Sequence, residues 1–196
     1  MTYTNETMPI HIIYIPGLGD GYDIWRRIFL WCWRIYGVST ELIPIKWSDR
    51  EGYEVKLALV NAAIARAKGR RVVLLGESAG GSLALNVYAS RPDDFYKVLT
   101  ICGKNARPEH VAPHFYQRNP AFKTSMHMLN DSIKKLTPSR RRAFISIHPL
   151  IDRVVPINET IIPGCQRRQV WLFGHLPTIA IMLTIGSWYV VRQIRR

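Results

Sequence analysis

Continuous apolar runs alternate with longer amphipathic stretches along most of this chain. Glycine or proline bounds the apolar runs, which is typical of strands buried on both faces of a parallel sheet. The pattern predicts six strands, which are Ile10–Ile15, Thr40–Ile45, Arg71–Leu75, Tyr96–Cys102, Ala143–Ile147 and Gln169–Phe173. It predicts helices over Asp23–Tyr36, Tyr53–Lys68, Ser78–Ser90 and Thr178–Arg192. This alternation predicts an α/β fold with a doubly wound, mostly parallel sheet of about six strands.

Residues 103–142 fit this alternation less well. They contain three histidines, the run Arg140–Arg142 and four prolines, which are Pro108, Pro113, Pro120 and Pro138. We predict a single domain over residues 1–196, in which 103–142 form a loop-rich insertion with one or two short helices. Because a long irregular segment in a compact domain usually serves function, the insertion is expected to be lid-like.

Composition supports one domain and limits the classes of site. The chain has 196 residues, of which 47% are hydrophobic, and this is enough to bury a core. The three cysteines, Cys32, Cys102 and Cys165, lack the paired spacing of a structural zinc site and are too few for a disulfide scaffold. His110, His114 and His127 lie in the loop-rich segment and are interpreted as ordinary loop residues, so no metal site is expected there either.

The net charge of +13 is compatible with two classes of partner, nucleic acid and an anionic membrane. The basic residues are scattered in pairs, and we find no helix-turn-helix signature, RNP motif or zinc module. Nucleic acid is therefore not an expected partner.

The two ends of the chain bear on its location. Met1–Pro9 contains no lysine or arginine and is not followed by a long apolar run, so a cytoplasmic location is expected. Residues 169–191 are 23 positions without a charged side chain and could be read as a membrane span. Gly174, His175 and Pro177 interrupt that stretch, which favours a strand followed by a helix too short to span.

The predicted helix Asp23–Tyr36 has a wide apolar arc. One arc of about 100° carries Asp23, Arg26, Arg27, Leu30 and Arg34. The opposite arc carries Ile24, Trp25, Ile28, Phe29, Trp31, Cys32, Ile35 and Tyr36. The helix either packs on the sheet and on a neighbouring helix, or offers a basic amphipathic surface to an anionic membrane or a lipid-like substrate.

The main chemical motif is Gly76-Glu77-Ser78-Ala79-Gly80, between a predicted strand and a predicted helix. A serine on such a turn is held in a strained conformation that exposes its oxygen above the sheet. Glycines two positions to either side, Gly76 and Gly80, avoid clashes around the turn. The spacing alone fits an incidental serine in a glycine-rich turn, but its position favours a nucleophile.

A serine nucleophile needs a base and an acid that orients the base. Among the six histidines, His175 is the one in a loop after the last predicted strand. Asp152 follows the strand before it, so the order is Ser78, Asp152, His175, as in serine hydrolases on a doubly wound sheet. The alternatives are a capping or packing role for His175, and a turn or an ion pair with Arg153 for Asp152.

Hydrolysis also needs backbone N–H groups that face the developing oxyanion. One candidate is the amide of Ala79, directly after the serine. The loop Pro16-Gly17-Leu18-Gly19 after the first strand offers the second, for which Leu18 is the candidate donor. Gly17 and Gly19 would let the main chain approach a substrate closely.

Together these features resemble the α/β-hydrolase superfamily. The matching pieces are the Pro16–Gly19 loop, Gly76–Gly80, Asp152–Pro156 and Gly174-His175, and the resemblance covers nearly the whole chain except 103–142. Because the oxyanion loop already occurs at residue 16, we expect a minimal sheet of about six strands that lacks the superfamily's usual first two. Pro16-Gly17 stands where the superfamily commonly has His-Gly.

The resemblance implies a small serine esterase or lipase-like enzyme that cleaves a small-molecule or lipid-like ester through an acyl-enzyme. It implies Ser78, Asp152 and His175 as the catalytic residues, and no cofactor or metal. Thioester or lactone hydrolysis, acyl transfer, peptide hydrolysis and non-catalytic ligand binding stay open as alternatives.

Overall fold

A computed structural model describes residues 8–196, so the part of the N-terminal expectation that concerns residues 1–7 lies outside the described chain. The strands are β1 (Ile10–Ile15), β2 (Ser39–Leu42), β3 (Arg71–Glu77), β4 (Lys97–Ile101), β5 (Phe144–His148) and β6 (Gln166–Gln169). The helices are α1 (Asp23–Cys32), α2 (Tyr53–Arg66), α3 (Gly80–Ser90), α4 (Pro113–Arg118), α5 (Pro120–Lys135), α6 (Pro138–Ala143), α7 (Ile157–Thr160), α8 (His175–Leu183) and α9 (Ser187–Arg195).

The six strands form one sheet in the order β2-β1-β3-β4-β5-β6, and every neighbouring pair is parallel. One apolar cluster joins the sheet to α2, α3 and α5, and a second joins its other face to α1, α8 and α9. The predicted doubly wound α/β architecture is confirmed. Parallel strands place the loops that follow β1, β3, β5 and β6 at one edge of the sheet, where open α/β sheets bind ligands.

Five strands coincide with their predictions to within three residues, but the last prediction was wrong. The apolar segment predicted as the last strand lies beyond the sheet and runs beside the chain that follows β5. The two segments are joined by irregular hydrogen bonds, from Leu150 N–H to Leu172 O at 2.9 Å and from Gly174 N–H to Ile151 O at 2.8 Å. Pro149 has no N–H for a regular ladder at this point. The true β6 is the polar segment Gln166–Gln169, since an edge strand with half-exposed side chains does not need apolar residues.

The C-terminal helix was predicted as one element and is two. α8 begins at His175, three residues earlier than expected, because a proline in the first turn removes no helical hydrogen bond. The chain then breaks before α9 at Gly186, whose N–H donates to Ile181 O at 2.8 Å. Within residues 8–196, none of the helices is both long and apolar enough to cross a membrane.

α1 packs on the sheet through its arginine-bearing arc. Arg26 and Leu30 are buried, whereas Ile24, Trp25 and Ile28 are exposed. Of the two alternatives for the apolar arc, packing on the sheet is therefore wrong, and this arc faces outward. The cause is a buried carboxylate on β3 that requires a cation, described below.

Residues 103–142 hold more regular structure than predicted, since they contain α4, α5 and α6 and a short 3₁₀ turn. The 16-residue α5 packs on α3, where Ser82 Oγ and Ser125 Oγ lie 2.7 Å apart. This half of the segment belongs to the core of the domain. The other half, around Phe115, borders a cavity described below. The lid-like role stays a prediction for that half.

Candidate active site

Ser78 lies in the sharp turn between β3 and α3. Its φ angle is 47°, in the left-handed region that non-glycine residues seldom adopt. Ser78 N–H donates to Ile101 O at 3.1 Å, while Ser78 O accepts from the amides of Gly81 and Lys104. These bonds hold the strained turn in place at the edge of the sheet.

The glycines of both loops permit close approach of main chains. A Cβ on Gly80 would lie 2.2 Å from Ile15 O, and one on Gly76 would lie 2.8 Å from Gly80 O. A Cβ on Gly17 would lie 2.8 Å from Ser78 Cβ, so the loop after β1 rests directly against the serine. Gly19 has φ 104°, which a side chain would strain.

His175 and Asp152 complete a hydrogen-bonded series with Ser78. His175 Nε2 lies 2.9 Å from Ser78 Oγ, and its Nδ1 lies 2.7 Å from Asp152 Oδ2. Because a carboxylate only accepts, Nδ1 carries the proton, and in the neutral ring Nε2 accepts from the Ser78 hydroxyl. Both His175 and Asp152 are buried. This is the geometry that a general base and its orienting acid require.

The second oxygen of Asp152 is also engaged. Oδ1 accepts from the amides of Val154 and Val155, both at 2.9 Å. Burial acts to raise the pKa of Asp152, but the bonds from His175 and from these two amides outweigh burial and hold the pKa below its ordinary value. Asp152 is therefore ionised at neutral pH and can stabilise a protonated imidazole.

Both predicted oxyanion donors border the same space as the serine. Leu18 and Ala79 line one cavity with Ser78 and His175. Neither the Leu18 nor the Ala79 amide donates to a backbone carbonyl within residues 8–196. Ala79 also directly precedes α3, whose N-terminus carries the positive end of the helix dipole.

A buried ionic network behind the serine was missed by sequence reasoning. Glu77 accepts two hydrogen bonds from Arg26, from Nε at 2.9 Å and from Nη2 at 2.6 Å, and a third from the hydroxyl of Tyr14. Arg26 Nη1 donates to Gly19 O at 3.0 Å. Arg26 thus connects the turn that carries Ser78 to the loop that carries Leu18. The position of Arg26 in the helical pattern of the sequence does not predict this connection.

The cavity over Ser78 has a volume of about 420 Å³ and walls that are mostly apolar. Its apolar lining comprises Leu18, Ala79, Val111, Ala112, Phe115, Phe122, Val154, Val155, Leu176 and Ile179. One wall is polar and includes Lys104 and His110. Behind it, the buried Glu159 binds Lys104 Nζ and lies 2.5 Å from His110 Nδ1. Sequence reasoning had treated His110 as an ordinary loop residue, because its partner is 49 positions away.

Solved structures of other proteins share the fold of this chain. No protein-family model matches the sequence, and neither does any curated protein. A solved metagenome-derived lipolytic enzyme (LipS or LipT) superimposes with a TM-score of 0.67 at 16% identity, over 95% of this chain and 91% of that one. The protein has the α/β-hydrolase fold.

Other solved structures with the α/β-hydrolase fold agree. The monoacylglycerol lipase of Paleococcus ferrophilus gives a TM-score of 0.64 at 12% identity, covering 94% of this chain and 93% of that one. The N-formylmaleamic acid deformylase of Pseudomonas putida S16 gives 0.64 at 13%, covering 92% of each chain. Such identities establish the fold, whereas the reaction has to be argued from the site.

Cys102 lies beside the hydrogen-bonded series formed by Ser78, His175 and Asp152. Possible ligand atoms of Cys102, Asp152 and His175 lie within 4.8 Å of one another. Both ring nitrogens of His175 already face protein partners, and burial together with the Asp152 charge raises the pKa of the Cys102 thiol far above its ordinary value. A metal would need the thiolate, so these three residues are poorly suited to hold a metal ion.

The cysteines should therefore differ in reactivity. We expect iodoacetamide to modify the exposed Cys32 in the native protein and to leave Cys102 unmodified, since Cys102 is buried and its thiol stays protonated. Peptide mass spectrometry after timed alkylation measures both sites. Alkylation in denaturant is the control, in which Cys102 should react fully. Equal rates at Cys32 and Cys102 in the native protein would contradict this account.

Asp152 should also make stability depend on pH. Its pKa is lower in the folded protein, so the unfolded chain binds the proton more readily. The stabilisation is complete above the unfolded pKa and is lost as pH falls through the lower folded pKa. We expect the free energy of unfolding to fall more steeply with acidification in the wild type than in Asp152→Asn. Urea unfolding from pH 6 to 3 tests this, and parallel curves would argue against it.

Proposed function

We propose that this protein is a serine hydrolase that cleaves carboxylic esters through an acyl-enzyme. One observation carries the proposal, the hydrogen-bonded series from Ser78 Oγ through His175 to Asp152 at 2.9 and 2.7 Å. The strained backbone of Ser78 and the cavity above it support the same assignment.

The proposed reaction has two halves. His175 Nε2 takes the hydroxyl proton while Ser78 Oγ attacks the ester carbonyl, and the amides of Leu18 and Ala79 stabilise the oxyanion. His175 then gives that proton to the departing alkoxide as the carbon–oxygen bond breaks. In the second half His175 takes a proton from water, which attacks the acyl group, and the proton returns to Ser78 as the acid leaves. Asp152 stabilises the imidazolium in both halves.

The cavity supports esters with an apolar acyl or alcohol group. A volume of about 420 Å³ with mostly apolar walls favours a hydrocarbon chain of moderate size. Several solved structures of the same fold are lipolytic enzymes or esterases, which agrees with this choice.

A second candidate is cleavage of an amide or formamide bond. The deformylase that shares the fold is the observation that favours it. The polar wall formed by Lys104 and His110, which the buried Glu159 holds from behind, could receive the polar part of such a substrate. Thioester or lactone hydrolysis and acyl transfer would use the same residues, and non-catalytic binding would leave the series without a role.

A fluorophosphonate probe tests the proposal directly. It should form one covalent adduct with the folded wild-type protein, located on Ser78 by tandem mass spectrometry. Heat-unfolded protein is the control and should not react, because activation of the serine depends on His175. Absence of an adduct in folded protein would overturn the hydrolase assignment and favour a binding protein.

A substrate panel then separates the candidate reactions. We expect p-nitrophenyl esters to be cleaved, with kcat/KM rising with acyl length until the cavity is full and then falling. Thioester and anilide analogues of the best chain length complete the panel. Faster cleavage of the anilide than of the ester would reject an esterase in favour of the amide reaction.

A further inference from the structure

The outward arc of α1 is apolar. Ile24, Trp25, Ile28, Trp31 and Ile35 are all exposed on it or on the short turn that follows. Tryptophan and isoleucine are seldom grouped on a free surface unless something covers them. This arc cannot turn inward, since the opposite one supplies Arg26 to the buried Glu77.

The C-terminal helices extend this surface. Trp33 Nε1 donates to Leu183 O at 2.9 Å, and Tyr36 Oη lies 3.1 Å from Ser187 Oγ, so the 3₁₀ turn Trp33–Tyr36 that follows α1 lies beside the α8–α9 junction. The outer side of that junction exposes Ile185 and Trp188. We name the combined surface the outer apolar face, comprising Ile24, Trp25, Ile28, Trp31, Ile35, Ile185 and Trp188.

The exposed charges along this face are mainly arginines. Arg27 on α1 and Arg34 on the 3₁₀ turn that follows are exposed, and the guanidinium of Arg34 lies 5.6 Å from the centre of the Trp31 ring. Glu41, which lines a cleft with Arg27, Trp31 and Arg34, is already paired with Arg66. Arg192 follows Trp188 by one helical turn on α9 and is also exposed. The single acidic residue of α1, Asp23, is paired with Arg26. Residues 160–196 contain no aspartate or glutamate.

We propose that the outer apolar face binds the surface of a membrane rich in anionic lipid. Isoleucine and tryptophan side chains would enter the boundary of the acyl region, and the arginines would contact lipid phosphates. A second copy of this chain is a poorer occupant. Two such faces brought together would oppose arginine to arginine, and the neighbouring carboxylate of Glu41 is already paired with Arg66.

The face also leads to the candidate active site. Leu176, in the first turn of α8, is exposed and lines the cavity that contains Ser78. The exposed side of α8 continues through Ala180 to Ile185, so an apolar path without charged residues joins the cavity rim to the face. This deepens the proposed function, since it names a membrane as the place where an ester is presented. Binding itself does not require turnover.

Vesicle sedimentation tests the proposal with the full-length Ser78→Ala protein, so that hydrolysis cannot alter the lipid. We expect binding to vesicles of phosphatidylcholine with phosphatidylglycerol, much weaker binding to phosphatidylcholine alone, and a decline with salt. Arg27→Gln with Arg34→Gln should weaken binding about 30-fold. Trp25→Ser with Trp31→Ser should weaken it by at least about tenfold.

Lys134→Gln with Lys135→Gln is the matched control. It removes the same charge from α5, which packs on the other side of the sheet, and should alter binding by less than about twofold.

Equal binding to both kinds of vesicle, or an equal loss in the control, would reject the outer apolar face as the site. A wild-type dimer in solution that Trp25→Ser with Trp31→Ser dissociates would assign the face to a second copy and overturn the proposal. If the wild-type protein binds vesicles but is not labelled by a fluorophosphonate, the membrane proposal stands and only the hydrolase proposal is rejected.

Discussion

Ser78→Ala is expected to lower kcat for p-nitrophenyl ester hydrolysis by about 10⁵- to 10⁶-fold. The variant loses the nucleophile, so only stabilisation of the oxyanion and substrate binding would remain. The hydroxyl lies 2.9 Å from His175 Nε2, and His175 in turn lies 2.7 Å from Asp152. His175→Ala should therefore lose nearly as much, and Asp152→Asn about 10⁴-fold. Steady-state kinetics at neutral pH measures all three.

The combined variant gives the sharper test. Groups that act as one unit lose activity only once, so Ser78→Ala with His175→Ala should be no slower than Ser78→Ala alone. Ser139→Ala, an exposed serine on α6, is the matched control and should retain full activity. Losses that multiply in the combined variant would show that the two side chains act independently, and the mechanism would then be wrong.

Arg26→Met is expected to lower the free energy of unfolding by about 3–5 kcal/mol. Methionine keeps much of the side-chain volume but leaves the buried Glu77 carboxylate without the two hydrogen bonds that Arg26 donates. It also frees Gly19 O, and the loop that carries Leu18 loses an anchor. Urea unfolding at neutral pH measures the loss. Protein that stays folded should also show a reduced kcat.

Two further variants separate the ion pair from general effects. Arg26→Met with Glu77→Gln removes both charges and should recover most of the loss, because a neutral amide is far less costly to bury than an unpaired carboxylate. Arg27→Met alters the exposed neighbour and should change stability by no more than about 0.5 kcal/mol. A loss in Arg26→Met no larger than in Arg27→Met would contradict the role of the buried pair.

Local sequence predicted much of the architecture, since each strand and its turn depend on neighbouring residues. The run Ile10–Ile15 is mostly apolar because β1 is buried on both faces, and its bounds were predicted correctly. The spacing around Ser78 indicated a strained turn, and the structure has a positive φ there. Chain order predicted that Ser78, Asp152 and His175 would meet, and their side chains lie within hydrogen-bond distance. Their catalytic roles stay proposals.

Local patterns in the chain were thus enough to predict the alternation of strands and helices, the turn at Ser78 and the edge of the sheet at which the candidate site lies. Which arc of α1 faces inward depends on long-range contacts, because hydrophobic periodicity cannot register that Glu77, 51 positions from Arg26, needs a buried cation. The tertiary structure likewise decided that Gln166–Gln169 is the edge strand and that His110 meets Glu159. Local patterns report whether a residue prefers burial, whereas long-range partners decide where a charged or apolar side chain actually goes.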